Sequence, residues 1–479
     1  MSERVVNSKR AFSLDALRGY AILTMVLSGA IAFGILPVWM YHAQTPPPLN
    51  KFDPTIFGIT WVDLVFPFFL FAMGAAFPFS IGKRLEKGFS QWRVSLESIL
   101  RGCQLTFFAI FIQHMYPWVI SNPQDYRAWF TTLSAFALMF PMFMRLPWNM
   151  PEWLRYAVKF AAFGVGVLML LMVNYAKDRS FALAYSNIII LVLANMAIFG
   201  SLIYIFTAKN KLARLAVLPL VMAVFLGKDT DGSWQQAVFN FTPVPWMYKF
   251  YYLKYLFIVL PGSIAGEYLL EWMGKSDEYS GKKKENHTAV ALILITVALI
   301  VCNLVFLLMR MTVVNLFVSS GLLLAGYFVL RTPSLVGKAG AGYSALWKKF
   351  FTAGAYLLIL GLFFEAFEGG IRKDHSTYSY YFVTSGLAFM ALIFFSVVCD
   401  YFRCSKSVSF LVMAGQNPMI AYVGASMVVI PILQIAGAGP LLESMLSNPW
   451  LGFLRGLLVT ALVTLMTMFF TRIKWFWRT

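Results

Sequence analysis

Few residues in this chain could carry chemistry. It holds four histidines in 479 residues, and one of them, His42, lies in WMYHAQTPPPLNKFDPTIFGITWVDLVFPFFLFAMG (39–74), between two strongly apolar segments. An acid, Asp63, opens the second segment. Imidazole is a natural general base near neutral pH, and a carboxylate beside it can orient the ring and stabilise its cation. The plain alternative for Asp63 is a helix N-terminal charge following Thr60 as N-cap. Both roles can hold at once.

The other histidines are weaker candidates. His114 and His375 fall on the same predicted side as His42, and His287 falls in a loop on the opposite side. His114 and His287 read as ordinary polar side chains, whereas His375 sits in a loop (365–382) with Glu365, Glu368, Asp374 and three tyrosines. Acids next to aromatics suit a sugar ring or a membrane boundary, so Glu368, His375 and Trp61 are the candidate substrate-binding residues. Glu267 and Asn417 lie inside apolar stretches, where a polar group usually faces the bundle interior. Asn417 reads either as a helix-to-helix hydrogen bond or as a catalytic oxyanion donor. The sequence has no Walker loop, GxGxxG, HExxH or GxSxG, and its four cysteines form no CxxC pair, so a nucleotide-hydrolysis, dinucleotide or metal site is not expected.

Membrane helices must position these groups. Hydrophobic residues make up 59% of the chain, Asp, Glu, Lys and Arg only 13%, and mean hydropathy is +0.70. Apolar runs recur at about the 20-residue length that crosses a bilayer. Fourteen are candidate spans: 14–36, 61–82, 95–117, 128–145, 156–173, 187–207, 212–226, 251–272, 288–309, 312–330, 350–364, 383–401, 408–434 and 452–471. Segments 128–145, 212–226 and 350–364 are short, so the expectation is an all-α polytopic membrane protein of 12–14 helices in one domain, 1–479. The positive charge agrees with this arrangement. With the N-terminus inside, 28 of the 39 Lys and Arg fall on the inner side, as the positive-inside rule requires, which also puts both termini in the cytoplasm. That asymmetry accounts for the net charge of +18 through topology and anionic lipid, with no nucleic-acid partner. The loops 273–287 and 331–349 read as solvated linkers.

Several blocks recur together in one family: SLDALRGYAILTMVL (13–27), the HA pair at 42–43, GITWVDLVFPFFLFAMG (58–74), LPGSIAGEYL (260–269), STYSYYFVTSGLA (376–388) and GQNPMIAYVG (415–424). Over nearly its whole length the chain resembles the bacterial relatives of lysosomal heparan-α-glucosaminide N-acetyltransferase, including the NagX-like and DUF5009 proteins. The resemblance implies a transmembrane acyltransferase of a bacterial inner membrane. Such an enzyme moves an acetyl group from cytosolic acetyl-CoA to an amino sugar or oligosaccharide on the far side, and the family admits a homodimer. It also implies that His42 is the functional histidine, acting as general base or as acetyl carrier. Here the gap between His42 and Asp63 is longer, with QTPPPLNKFDP (44–54) inserted. On this reading Asp63 and Asn417 assist His42, while Arg18, Lys83, Arg84 and Arg101 are candidates for the CoA phosphates, because guanidinium suits phosphate. The rival readings are an O-acetyltransferase of an envelope glycan and a secondary transporter or flippase of sugar-like solutes.

Overall fold

The computed structural model describes residues 11–144, 150–177, 179–274, 287–331 and 338–478. The described chain is helical throughout, and its one β-bridge joins Met144 to Trp477. Most of the linker expected at 273–287 lies outside the described residues, as do 332–337 of the one expected at 331–349, but 338–349 is helix and not a linker.

Fifteen helices carry the architecture. They are α1 (Phe12–Ala30), α2 (Trp61–Glu86), α3 (Gln91–His114), α4 (Tyr126–Phe143), α5 (Glu152–Met172), α6 (Ile188–Phe206), α7 (Lys211–Gly227), α8 (Phe250–Gly274), α9 (His287–Leu308), α10 (Thr312–Arg331), α11 (Lys338–Phe367), α12 (Tyr378–Tyr401), α13 (Ser409–Gln416), α14 (Pro418–Ile435) and α15 (Pro449–Arg472). Eleven described helices are long and apolar enough to cross a membrane. The three expected spans outside that set are α1, α4 and α7, of 19, 18 and 17 residues. The segment expected to be short at 350–364 is the second half of the 30-residue α11. The span expected at 408–434 is broken, because Pro418 has no N–H with which to continue α13 and so starts α14 instead.

The order from centre to periphery follows composition. Helices α2, α8 and α12 are largely buried, while α5, α9, α10 and α15 turn most of their apolar surface outward, as lipid-facing helices do. Near neighbours pack as α1 on α13 and α2, α2 on α8, α3 on α6, and α11 on α12. Small residues permit the closest crossings. A Cβ on Gly19 would stand 1.8 Å from the Leu411 carbonyl oxygen, and one on Gly415 would stand 1.9 Å from that of Asp15. Helices α1 and α13 therefore touch backbone to backbone, the mode that small residues support where water supplies no driving force.

The alternating helix directions gather two sets of loops. At one end, the α1–α2 connection meets the α11–α12 connection, where the Gly58 N–H donates to Ile371 O at 2.8 Å and Arg310 reaches Gly369 O at 2.6 Å. At the other end, the C-terminal segment folds back onto α4 and the α13–α14 break, with Arg478 N–H on Phe143 O at 2.7 Å.

Candidate functional site

The site begins with a helix cap. The Thr60 side chain accepts from Val62 N–H, and the Asp63 side chain reaches back to Thr60 N–H at 3.0 Å, which together form a capping box. The same Asp63 oxygen, Oδ2, accepts from Ala43 N–H at 3.2 Å. The Thr60 hydroxyl donates to Tyr41 O at 2.6 Å. These contacts tie residues 41–43 to the start of α2 and leave Oδ1 of the fully buried Asp63 aimed at the ring. His42 Nδ1 stands 2.5 Å from it. The helix cap and the histidine orienter are the same carboxylate.

His42 Nε2 has a second carboxylate, Asp374 Oδ2, at 2.8 Å. Lys373 Nζ lies 3.6 Å from Asp63 Oδ1, so two acids and two cations form one cluster. Burial opposes the charged imidazole, but the hydrogen bonds to Asp374 and Asp63 outweigh it, and the His42 pKa is raised above 6.5. Burial also opposes the charged form of Asp374, but the bond to His42 and the charge of Lys373 outweigh it and hold that carboxyl below its usual range. An imidazole with a carboxylate on each nitrogen is held as the cation. The two acids differ in access: the Asp63 side chain is fully buried, whereas that of Asp374 is 45% exposed. Nε2 is therefore the nitrogen that an incoming molecule can reach, by displacing Asp374.

Buried polar groups fix the second acid. Gln44, fully buried, accepts from Asp374 N–H at 2.8 Å through Oε1 and donates to Asp374 O at 2.9 Å through Nε2. From α12, the Tyr380 hydroxyl donates to the Asp63 backbone carbonyl at 2.9 Å. Ser376 is held beside the Tyr251 and Tyr381 hydroxyls at 3.0 and 2.8 Å, and Lys254 donates to its carbonyl at 2.6 Å.

The remaining expected residues fall elsewhere. Glu368 accepts from Tyr378 and Ser379 N–H at 2.7 and 2.8 Å, so it caps α12. His375 is exposed with a left-handed φ of 51°, and its neighbour Asp374 is the residue that meets His42. Trp61 is half-buried against the Ile31, Leu36 and Met40 cluster beneath the connection. Asn417 is not beside His42. It donates to Trp475 O at 2.8 Å and accepts from Trp477 N–H at 3.3 Å, at the opposite end of the bundle, because the backbone break before Pro418 leaves it facing the C-terminal segment. The buried His114 rests among Tyr175, Phe181 and Tyr185 with Nδ1 on Ile110 O at 2.9 Å, and it holds a structural place.

The four candidate cations sit toward that opposite end. Arg18 donates to Gly415 O at 3.2 Å and to Ala72 O at 3.4 Å, nine residues along α2 from Asp63, or about 14 Å of helix. Arg84 and Arg101 line one cavity of about 280 Å³ with Ser80, Glu97, Ser98, Gln104 and Ser201. Arg84 pairs there with Glu97, and the buried Arg101 Nε has no hydrogen-bond partner among the described residues. Lys83 is exposed, over the Phe79 ring. Among the described residues no group of three or more His, Cys, Asp or Glu has a metal-holding arrangement.

A comparison with curated proteins finds no match. A family described as a domain of unknown function, DUF5009, matches residues 10–269, which include His42, Asp63, Gln44 and all four candidate cations. That match covers more than half of the chain, and the protein belongs to the DUF5009 family.

Proposed function

We propose that the protein is a multi-pass acetyltransferase of a bacterial inner membrane. In this reading it moves an acetyl group from cytosolic acetyl-CoA to an amino sugar or glycan on the extracytoplasmic side, with His42 as the reacting base. The single observation that carries this is the His42 cluster: Nδ1 locked on a buried carboxylate and Nε2 on an exposed one, at the end of a membrane bundle. A triad-like base needs one nitrogen fixed and one presented.

Each group then has a task. Asp63 holds the ring and its cation. Asp374 keeps Nε2 protonated at rest and yields it when the acceptor enters. Once Nε2 has released its resting proton to solvent, neutral His42 takes a proton from the attacking amine as the new C–N bond forms, and it delivers that proton to the thiolate as the C–S bond breaks. The variant reading places the acetyl group on Nε2 first, expelling the thiolate, and then transfers it to the amine. The same geometry would serve a hydroxyl acceptor. The Arg84–Arg101 cavity supports donor binding at the far end, because a guanidinium whose buried Nε has no partner among the described residues, beside serines, suits a phosphate.

The test is acetyl transfer from radiolabelled acetyl-CoA to a panel of amino sugars and glycan fragments by the purified protein. Transfer that disappears in His42→Ala supports the proposal. Solute uptake into proteoliposomes without consumption of acetyl-CoA would instead identify a transporter.

A further inference from the structure

The α1–α2 connection has a second face. Two residues before His42, it walls an apolar groove of about 510 Å³. Leu36, Trp39 and Met40 form one side, and Pro449, Trp450 and Phe453 at the start of α15 form the other. The whole lining is apolar. Trp39 and Trp450 are 55% and 83% exposed, so this face lies open along the outside of the bundle.

The depth of the groove follows from its rim. Tryptophans at helix ends mark the headgroup level of a bilayer. Arg455, just over a turn further along α15 from Trp450, donates to Ala30 O at 2.7 Å at the end of α1, and an arginine this close to a helix end sits near the interface. The groove therefore opens sideways at the membrane boundary, where lipid tails stop and headgroups begin.

Its lining stops two residues before His42. Met40 lines the groove, and Tyr41 continues in extended conformation with φ −113° and ψ 171°. Two extended residues span at most about 7 Å, so the groove ends about that far from His42. Tyr41 is itself pinned, its hydroxyl donating to Ala32 O at 2.7 Å and its carbonyl accepting from Thr60. One short, fixed stretch of chain thus carries both an apolar trough, at Met40, and the titratable cluster, at His42.

We infer that the groove holds the hydrocarbon tail of a lipid-anchored acceptor whose amine- or hydroxyl-bearing headgroup lies at His42, an inference that rests on the acetyl-transfer reading. A water-borne sugar has no use for an apolar trough at this depth. A tailed acceptor arrives by lateral diffusion and is placed by its tail, leaving its head at the reacting nitrogen.

The experiment compares glucosamine with a long-chain alkyl glucosaminide, the same amine with a tail, on the full-length protein in detergent. The tailed acceptor is expected to show a KM at least about tenfold lower, because two buried methylenes already amount to that factor. Phe453→Trp, which fills the groove, is expected to abolish that difference while leaving turnover of glucosamine unchanged. Equal KM values in the wild type would overturn the groove assignment and leave the acetyltransferase reading standing. A difference that persists in Phe453→Trp reflects partitioning into micelles and overturns it as well. A photoreactive alkyl glucosaminide gives a readout independent of turnover. Labelling of 35–40 and 449–453 that excess alkyl glucosaminide displaces and bulk phospholipid does not is the expected result. Labelling that phospholipid displaces equally would make the groove an ordinary lipid contact. Specific labelling without acetyl transfer to either amine would keep the groove and count against the reaction.

Discussion

Gln44 holds Asp374 by both of its backbone hydrogen-bonding groups, at 2.8 and 2.9 Å, across 330 positions of sequence. A buried side-chain amide thus takes the part of a strand partner and docks the α11–α12 connection onto the α1–α2 connection. The docking brings the Asp374 carboxylate to His42.

Gln44→Leu is therefore expected to act at a distance. It leaves Asp374 N–H and O without their partners, and an unmade buried hydrogen bond costs about 1–3 kcal/mol. With Asp374 no longer held, the His42 imidazolium loses one of its two supporting hydrogen bonds and its pKa falls. Thermal unfolding reads the first effect, and the pH profile of acetyl transfer reads the second. Lower stability with an unmoved pH profile would mean that Gln44 supports only the loop. Gln44→Glu, which keeps the acceptor and loses a donor, is expected to lie between the two.

The charge cluster also sets a pH window. The raised His42 pKa contributes stability that is full below its ordinary value of 6.5 and is lost as pH rises through the folded value. The lowered Asp374 pKa contributes stability that is present above its ordinary 3.8 and is lost as pH falls through the folded value. Tm should thus be highest between those limits and fall on both sides. His42→Gln is expected to flatten the alkaline limb. Activity runs the other way on that limb, because Nε2 can act as a base only once it has lost its proton. Asp374→Asn, which removes the counter-charge, should move the rise in kcat/KM to lower pH; an unshifted rise would remove Asp374 from the site.

Backbone contact between α1 and α13 gives a separate test that involves no titrating group. Gly415→Ala would place a methyl 1.9 Å from Asp15 O, a rigid backbone atom. Overpacking of this kind typically costs about 1–3 kcal/mol. A drop in Tm with unchanged acceptor KM is the expected outcome. Gly29→Ala, on α1 with nothing within 4 Å of the added methyl, is expected to be silent.

How far the sequence exposed this site depended on how local each contact was. His42 and Asp63 are 21 positions apart, and the start of an apolar helix after Thr60 marks where the second would point. Asp374 has no such marker. It stands 332 positions away in a loop with two other polar candidates, Glu368 and His375, and the docking of its backbone on Gln44 is what brings its side chain to His42. Gln44 carries no charge and follows the histidine closely, so nothing in its type announces a docking role. Asn417 drew notice as a polar group inside an apolar stretch, but the helix break before Pro418 turns it toward the C-terminal backbone. Helices were legible wherever apolar runs were continuous, and the deviation at α11 arises because its first turns, KAGAGYSALWKK, are too polar to read as a span although they continue the same helix.

The donor side is separable from all of this, and Arg101 is the residue that separates it. Arg101 shares a cavity with Arg84, Ser98 and Gln104, yet its Nε makes no hydrogen bond within the described chain, whereas Arg84 is already engaged by Glu97. A buried donor left unmade costs free energy unless a bound anion satisfies it. Arg84 lies 21 residues along α2 from Asp63, about 30 Å of helix, so changes here cannot disturb the His42 cluster directly. Arg101→Gln is accordingly expected to raise KM for acetyl-CoA by about tenfold, the loss of one charge-assisted bond, with kcat and the acceptor KM little changed. Rescue of tight donor binding by Arg101→Lys would mark a point-charge contact, and failure of that rescue would mark the bidentate recognition that only guanidinium provides. An unchanged KM for acetyl-CoA in Arg101→Gln would remove this cavity from the donor path and leave Arg18, on α1 against the Ala72 carbonyl of α2, as the cation to test next.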